Sequence, residues 1–374
     1  MTHRGPVVRH APGKLFVAGE YAVVQPGTPA ILVAVDRQVG VTVAGAGSGD
    51  VTVTSDLCPQ GARLRRTRDG LTAFDADDEQ RARTSLAHVV SAIDVMDGLL
   101  TERGLTPPAL RISVSSGLHT GGTKYGLGSS GAVTVATIAA VTDYCGLDLT
   151  PEARFRLAML ATARLDAKSS GGDLAASTWG GWIAYQAPDR LAVLELARRR
   201  GIEEVLRAPW PGFGLRRLPP PRGLTLEVGW TGEPVSTGSL VSRLDTGGGA
   251  DGAGYRDFLT RSTAVVRACV QALERADHRE LLHQIRCARQ VLTRLDDETG
   301  LGIFTDKLTV LCDAAEAVGG AAKPSGAGGG DCGIALLDAG AQKDISQMRA
   351  RWAAADVVPL ELAPADERNM SDER

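Results

Sequence analysis

Residues 124–135 read Lys124-Tyr125-Gly126-Leu127-Gly128-Ser129-Ser130-Gly131-Ala132-Val133-Thr134-Val135. Three glycines and two serines lead directly into Ala132–Val141, an apolar run of small residues that predicts a buried helix. Glycine lets a backbone turn tightly and come close to a ligand. The start of the helix adds unpaired N–H groups and the positive end of a dipole. Together these make an anion site, most often one for phosphate. Taken alone, the stretch also fits a glycine-rich turn capping an ordinary core helix. The rest of the chain decides between the two.

At 374 residues the chain is too long for one compact core, and two domains are expected. A net charge of -3 supplies no basic field for nucleic acid. No apolar run reaches the roughly 18 residues that span a membrane, so no membrane partner is expected. Met1–His10 lacks the apolar centre of a signal peptide, which points to the cytoplasm. Cys58, Cys145, Cys269, Cys287, Cys312 and Cys332 are scattered and form no CxxC pair, so reduced thiols are expected. His283 and Cys287 lie four apart on an expected helix but have no further ligands nearby.

The lysines are more telling. Of 41 basic residues only six are Lys, and Lys14, Lys124, Lys168 and Lys323 all fall in small, glycine-bearing segments. A compact ammonium on a flexible stem reaches a phosphate oxygen where a planar guanidinium does not fit.

In chain order, a strand is expected over Leu15–Ala18, broken by Gly19, then strands over Ala30–Val35, Val39–Ala44 and Val51–Thr54. Residues 60–83 are polar and read as an exposed connection. Leu86, Val89, Val90, Ile93, Met96, Leu99 and Leu100 share one helical face, with Thr84 or Ser85 as cap. Leu110–Val114 alternates as a strand. Thr150-Pro151 opens another helix. Lys168-Ser169-Ser170-Gly171-Gly172-Asp173 then delivers a carboxylate ahead of an apolar run, either into a pocket or as a helix cap. Residues 188–223, rich in Arg and Pro, read as the inter-domain connection with a helix near 190–206. Leu224–Val228 resumes as strand and 247–254 as a glycine-rich loop. Helices are expected near 255–275, 278–296 and 303–318. Lys323-Pro324-Ser325-Gly326-Ala327-Gly328-Gly329-Gly330-Asp331 precedes a strand over Cys332–Leu337, a helix over 340–355 and a last strand over Val357–Leu362. Residues 364–374 are expected to fray. The whole reads as α+β in both halves.

Gly126–Gly131 matches GxGxxG, but a dinucleotide fold needs a strand running straight into the glycines and an acid closing the next strand. Here a loop intervenes and a second helix follows. GxxxxGK[ST] and the protein-kinase HRD and DFG signatures are absent. A serine-bearing phosphate loop, an Asp, several Lys and a distant second glycine loop suit phosphoryl transfer, which needs charge neutralisation and positioning more than covalent help. Ser129 or Ser130 is a candidate Mg²⁺ ligand, Lys14 a stabiliser of the transferred group, and Asp173 a base or an orienting group for Lys14.

These motifs resemble those of the GHMP small-molecule kinases. Ala11–Lys14 with Gly19–Val24 is similar to that family's N-terminal motif, Gly126–Ser130 to its phosphate loop, and Lys323–Gly330 to its C-terminal glycine loop. Within the family, Lys124-Tyr125, Ser169–Asp173 before Trp179–Trp182, and Thr231–Thr237 look most like the branch whose acceptor is (R)-5-phosphomevalonate, converted to 5-diphosphomevalonate in isoprenoid biosynthesis. The resemblance implies an N-terminal nucleotide-binding domain over 1–215, like one found in a ribosomal protein, and a ferredoxin-like domain over 216–374. It implies ATP and Mg²⁺, and a monomer or homodimer. Lys14 and Asp173 would be catalytic. Lys124, Gly126, Leu127, Gly128, Ser129, Ser130 and Gly131 would bind ATP, with Ser130 on the metal. Glu20, Tyr21, Ser169, Ser170, Gly171, Gly172, Ala327 and Gly328 would bind the acceptor.

A phosphomonoester is mostly dianionic at pH 7 and needs little deprotonation to attack. With that acceptor Asp173 positions Lys14 and substrate more than it takes a proton, and Lys14, Lys124, Lys168 and Lys323 offset the charge of two phosphate-bearing anions. An alcohol acceptor, as in mevalonate kinase, needs a true base. That reading, the related diphosphomevalonate decarboxylase and a non-catalytic nucleotide sensor are the alternatives.

Overall fold

The computed structural model describes residues 5–47, 49–68, 70–233 and 253–365. Pro234-Val235-Ser236-Thr237 and most of the expected 247–254 loop lie outside them.

The first sheet is built on the strand Pro29–Gly45, whose inward residues Ala30–Val35, Val39, Val41 and Val43 are all buried. It unites two expected strands. Val7–Ala18 pairs antiparallel along it, much longer than the expected Leu15–Ala18. The register shift between Pro12 and Gly13 leaves Asp36 and Arg37 as a bulge, which lets the long ribbon bend. Trp182–Gln186 and Leu110–Ser116 occupy successive halves of the same strand.

Residues 60–83 are not an exposed connection. They form the strands Cys58–Thr67 and Gly70–Ala73 and the helix Ala76–Arg83. Ala62 and Leu64 face inward, while Arg63 and Arg65 face out and lie over the ring of Phe74. Arginines on the solvent face had hidden the period of two. Nor is 188–223 a bare connection. Gly201 divides the expected helix into Arg190–Arg200 and Ile202–Arg207. Gly214–Leu218 then pairs with Trp182–Gln186 at the edge of the first sheet. Trp210 and Phe213 close an aromatic cluster around Phe155, with Trp179 and Tyr185. The break between the sheets therefore falls between Leu218 and Leu224, a few residues past the expected 215/216 boundary.

On the inner face of this sheet lies the helix Ser129–Cys145, buried from Gly131 to Thr142 except at Val133. Small side chains let neighbours approach on every side: it packs against Val7–Ala18, Pro29–Gly45 and the helices Ala87–Glu102 and Pro151–Leu165. Thr134 and Thr137 satisfy their buried hydroxyls on the carbonyls of Ser130 and Val133. The helix Ala87–Glu102 has Leu86, not Thr84 or Ser85, at its N-cap, and no side chain caps it.

The second sheet orders Ala321–Ser325, Cys332–Asp338, Leu224–Trp230 and Val358–Leu360 side by side, all antiparallel. In chain order this is 2-3-1-4, the ferredoxin-like arrangement. Trp352 of the helix Gln342–Ala354 is fully buried beneath it and donates Nε1–H to the carbonyl of Leu311 at 3.0 Å. Pro364 and Ala365, expected to fray, are tied to the first sheet: Ala365 donates to the carbonyl of Ala34 at 2.9 Å. Among the described residues all six cysteines are free thiols, and no helix is long and apolar enough to cross a membrane.

Candidate active site

A cleft of about 780 Å³ opens where the two sheets meet. Two helix starts face it. The helix Ser129–Cys145 has Gly128 at its N-cap, left-handed at φ 76°, and no side chain occupies its first N–H groups. The helix Gly172–Trp179 likewise follows a left-handed glycine, Gly171, but its first N–H, that of Gly172, donates to Ser170 Oγ at 3.3 Å. Asp173 is therefore in the first turn, not at the cap. Its carboxylate accepts from the Leu174 N–H at 3.0 Å.

The loop glycines make room for three charged side chains. A Cβ on Gly126 would sit 2.6 Å from Oδ2 of Asp331. One on Gly128 would meet Lys14 Cε at 3.0 Å and Asp173 Cβ at 3.3 Å. One on Gly131 would meet Cγ of Asp173 at 2.5 Å. Lys14 is delivered from the strand below, where its backbone N–H bonds the carbonyl of Leu127 at 2.8 Å. It is buried, and its Nζ lies over the Phe16 ring at 5.4 Å and reaches the Gly126 carbonyl at 3.3 Å. Among the described residues no carboxylate lies within 4 Å of it, so Asp173 does not orient Lys14 through an ion pair.

Gly131 offers a clean perturbation. Its φ is not in the left-handed region, so Ala fits the helix and favours it. The new methyl must displace the Asp173 carboxylate. We expect Gly131→Ala to keep its melting temperature and to lose about 100-fold in kcat, the order of effect of a 1 Å misplacement. Wild-type turnover in a folded Gly131→Ala variant would show that the position of Asp173 is unimportant.

Lys124, Lys168, Ser129, Ser130, Ser169, Ser170 and Ala327 all line the cleft. Neither Ser129 nor Ser130 spends its hydroxyl on another described residue. Leu127 is buried behind the loop. Gly171, Gly172 and Gly328 do not line the cleft: Gly171 and Gly328 lie against Met159 and Ile303, where a side chain would not fit, and Gly172 lies close against Leu32 and Phe16.

Three further expectations change. Lys323 does not offset substrate charge. It is fully buried and paired with the carboxylate of Glu20, and it also donates to the Pro324 carbonyl at 2.6 Å. Glu20 and Tyr21 both line the cleft, with the Glu20 carboxylate held by Lys323. Tyr21 donates its hydroxyl to the Ala327 carbonyl, and its φ of 60° is strained for a non-glycine residue. Glu20 and Tyr21 bind the first sheet to the C-terminal glycine loop, with Ser325 bridging to the backbone of Phe16 at 2.9 and 3.0 Å.

Sequence reasoning missed His88 and Asp331, both on the cleft wall. Burial lowers the pKa of His88, opposed by the nearby charge of Asp173. Asp331 closes the glycine run at φ 51° and is pinned on both sides. Its N–H donates to the Glu233 carbonyl at 2.7 Å, and its carbonyl accepts from Thr231 at 2.9 Å. An acid ending a glycine loop was the available signal; His88 had none. His283 and Cys287 approach each other at 3.7 Å, and among the described residues no group of three potential ligands gathers.

Two halves of a known domain pair map onto this architecture: the GHMP kinases N terminal domain matches residues 87–181 and the GHMP kinases C terminal matches 269–354. The phosphomevalonate kinase of Streptomyces sp. (strain CL190) is 65% identical over 97% of this chain and 98% of its own length. The chain belongs to the GHMP kinase family. Among solved GHMP kinase-like structures, a Lin0012 protein from Listeria innocua superposes with a TM-score of 0.87 at 32% identity, covering 97% of this chain and 98% of its own. Streptococcus pneumoniae phosphomevalonate kinase, solved with phosphomevalonate and AMPPNP, gives 0.81 at 26% identity, covering 96% and 100%. The cleft of this GHMP kinase thus lies between its two sheets.

Proposed function

We propose that the chain transfers the γ-phosphoryl group of ATP to phosphomevalonate. The observation that carries this reading is the convergence of the uncapped start of the helix Ser129–Cys145 and the ammonium groups of Lys14, Lys124 and Lys168 on one cleft. That is more positive potential than one nucleotide needs, and it suits two phosphate-bearing substrates meeting end to end. The 65% identical relative and the S. pneumoniae complex support the same acceptor.

In the step itself, an oxygen of the acceptor phosphate attacks Pγ. The Pγ–O bond to the β-phosphate breaks and ADP leaves with that electron pair. Lys14 bears on the transferred group, while the Gly126–Gly131 backbone N–H groups hold the donor phosphates. Ser169 and Ser170 orient the acceptor, and Lys124 and Lys168 lower the repulsion between the two anions. Asp173 keeps the reacting groups in line and is not required as a base.

The donors present fit Mg²⁺. That ion takes one or two protein ligands and completes its shell with water and substrate phosphates, and the cleft offers Ser129, Ser130 and Asp173 while Glu20 is occupied by Lys323. Held there, it would offset negative charge on the donor phosphates. Ser130 is the proposed ligand.

The test is purified protein with MgATP and, in parallel, phosphomevalonate, mevalonate or galactose, followed by ADP release. ADP with phosphomevalonate alone is expected. ADP with mevalonate instead would restore Asp173 as a true base. The companion expectation is that Asp173→Asn loses less activity than Lys14→Met, because a dianionic acceptor needs no proton removed. Equal loss in both would sink the positioning role.

A further inference from the structure

The loop carrying Ser169 and Ser170 has no regular structure, yet two buried side chains hold it from behind. Tyr185, fully buried, donates its hydroxyl to the Ser170 carbonyl at 2.6 Å. Arg190, only 6% exposed, spreads its guanidinium over three carbonyls: Val24 at 2.6 Å, Pro188 at 3.0 Å and Ala167 at 3.3 Å. Val24 and Lys168, the neighbour of Ala167, both line the cleft.

The molecule contains its own comparison. Arg156 also caps three carbonyls, those of Val205, Leu206 and Ala208, but its charge is met by Glu152 at 2.8 Å. Arg190 has no carboxylate within 4 Å among the described residues, and its burial lowers its pKa, opposed by the nearby Tyr185, Asp189 and Asp166. An unmatched buried cation is costly to fold around. A carbonyl clamp alone does not require that charge to stay unmatched, as Arg156 demonstrates.

Building on the functional reading above, we propose that Arg190 is a positioning residue for the phosphorylated acceptor. It locks the Ala167–Ser170 loop against the Val24 wall and lends that side of the cleft a positive potential, with Tyr185 fixing the far end of the same loop. The nucleotide side, built on Gly126–Ser130, touches neither residue.

The experiment is steady-state kinetics with both substrates varied, on wild type, Arg190→Met, Arg190→Lys, Tyr185→Phe and the control Arg156→Lys, with thermal melting of each. Arg190→Met should raise KM for phosphomevalonate about tenfold or more while KM for ATP stays within twofold. Arg190→Lys, which keeps the charge and loses the fork, should fall between that and wild type, as should Tyr185→Phe. Arg156→Lys should lower the melting temperature without changing either KM selectively. If Arg190→Met fails to fold, Arg190→Lys and Tyr185→Phe carry the test. Equal rises in both KM values, or unchanged KM for phosphomevalonate in the folded variants, would overturn the inference and leave the functional reading intact. A wild-type enzyme that ignores phosphomevalonate would instead bring down the functional reading, and this inference with it.

Discussion

Lys14→Met should lower kcat by about 10³-fold or more while leaving the fold and ATP binding in place. The reasons are geometric. Methionine has nearly the length and volume of the lysine stem, which packs beside Gly128, while Nζ lies over the Phe16 ring at 5.4 Å. What is lost is the ammonium alone, and that group makes only one long hydrogen bond, 3.3 Å to the Gly126 carbonyl. A charge held in a mostly buried position by a strand and a glycine, without a carboxylate to neutralise it, is available to the charge that develops on the transferred phosphoryl group. Binding of a nucleotide to the loop N–H groups does not depend on it to the same degree. Calorimetric titration with ATP alongside turnover separates the two: a large fall in kcat with ATP affinity within about tenfold is expected. A Lys14→Met protein that turns over at wild-type rate would remove Lys14 from the reaction.

The phosphate loop was legible because every part of its pattern is local. Glycine, serine and a small-residue helix follow one another in sequence, and the helix start keeps its first N–H groups free of a side-chain cap, as the anion-site reading requires. Lys14 and Asp173 were legible for a related reason: each sits beside glycines that only a close approach explains. The failures were non-local. Lys323 looked like another phosphate ligand because a lysine beside glycines carries the same local signature, and only the packing of the second sheet on the first reveals Glu20 as its partner. His88 is one polar residue on an otherwise ordinary amphipathic helix, and nothing within that helix says that it faces the cleft. Residues 60–83 and 188–223 were misread because arginines dominate their composition, and those arginines lie on solvent faces, over aromatic rings or on carbonyls. Composition reports which side chains are present; it does not report which side of a strand they occupy.

The Glu20–Lys323 pair gives the second large expectation, this time in stability. Both groups are buried, Lys323 completely, and each is the other's charge partner, so removing one leaves an isolated charge in a medium that solvates it poorly. Lys323→Met should cost about 3–5 kcal/mol. The loss falls at one joint: Lys323 lies at the start of the glycine loop, and Tyr21, next to Glu20, holds Ala327 farther along it. Urea unfolding followed by tryptophan fluorescence measures the effect, with Trp352 and Trp230 reporting on the second sheet. The decisive comparison is the double variant Glu20→Leu with Lys323→Met, which removes both charges and keeps apolar volume. Because the single change suffers mainly from the stranded carboxylate, the double variant should recover most of the lost stability. Losses that simply add would mean that the two side chains stabilise the joint through packing, not through their charges. Catalysis should follow a different course. The Tyr21–Ala327 and Ser325–Phe16 contacts persist in both variants, so activity at low temperature should track the folded fraction and not the number of charges at the joint.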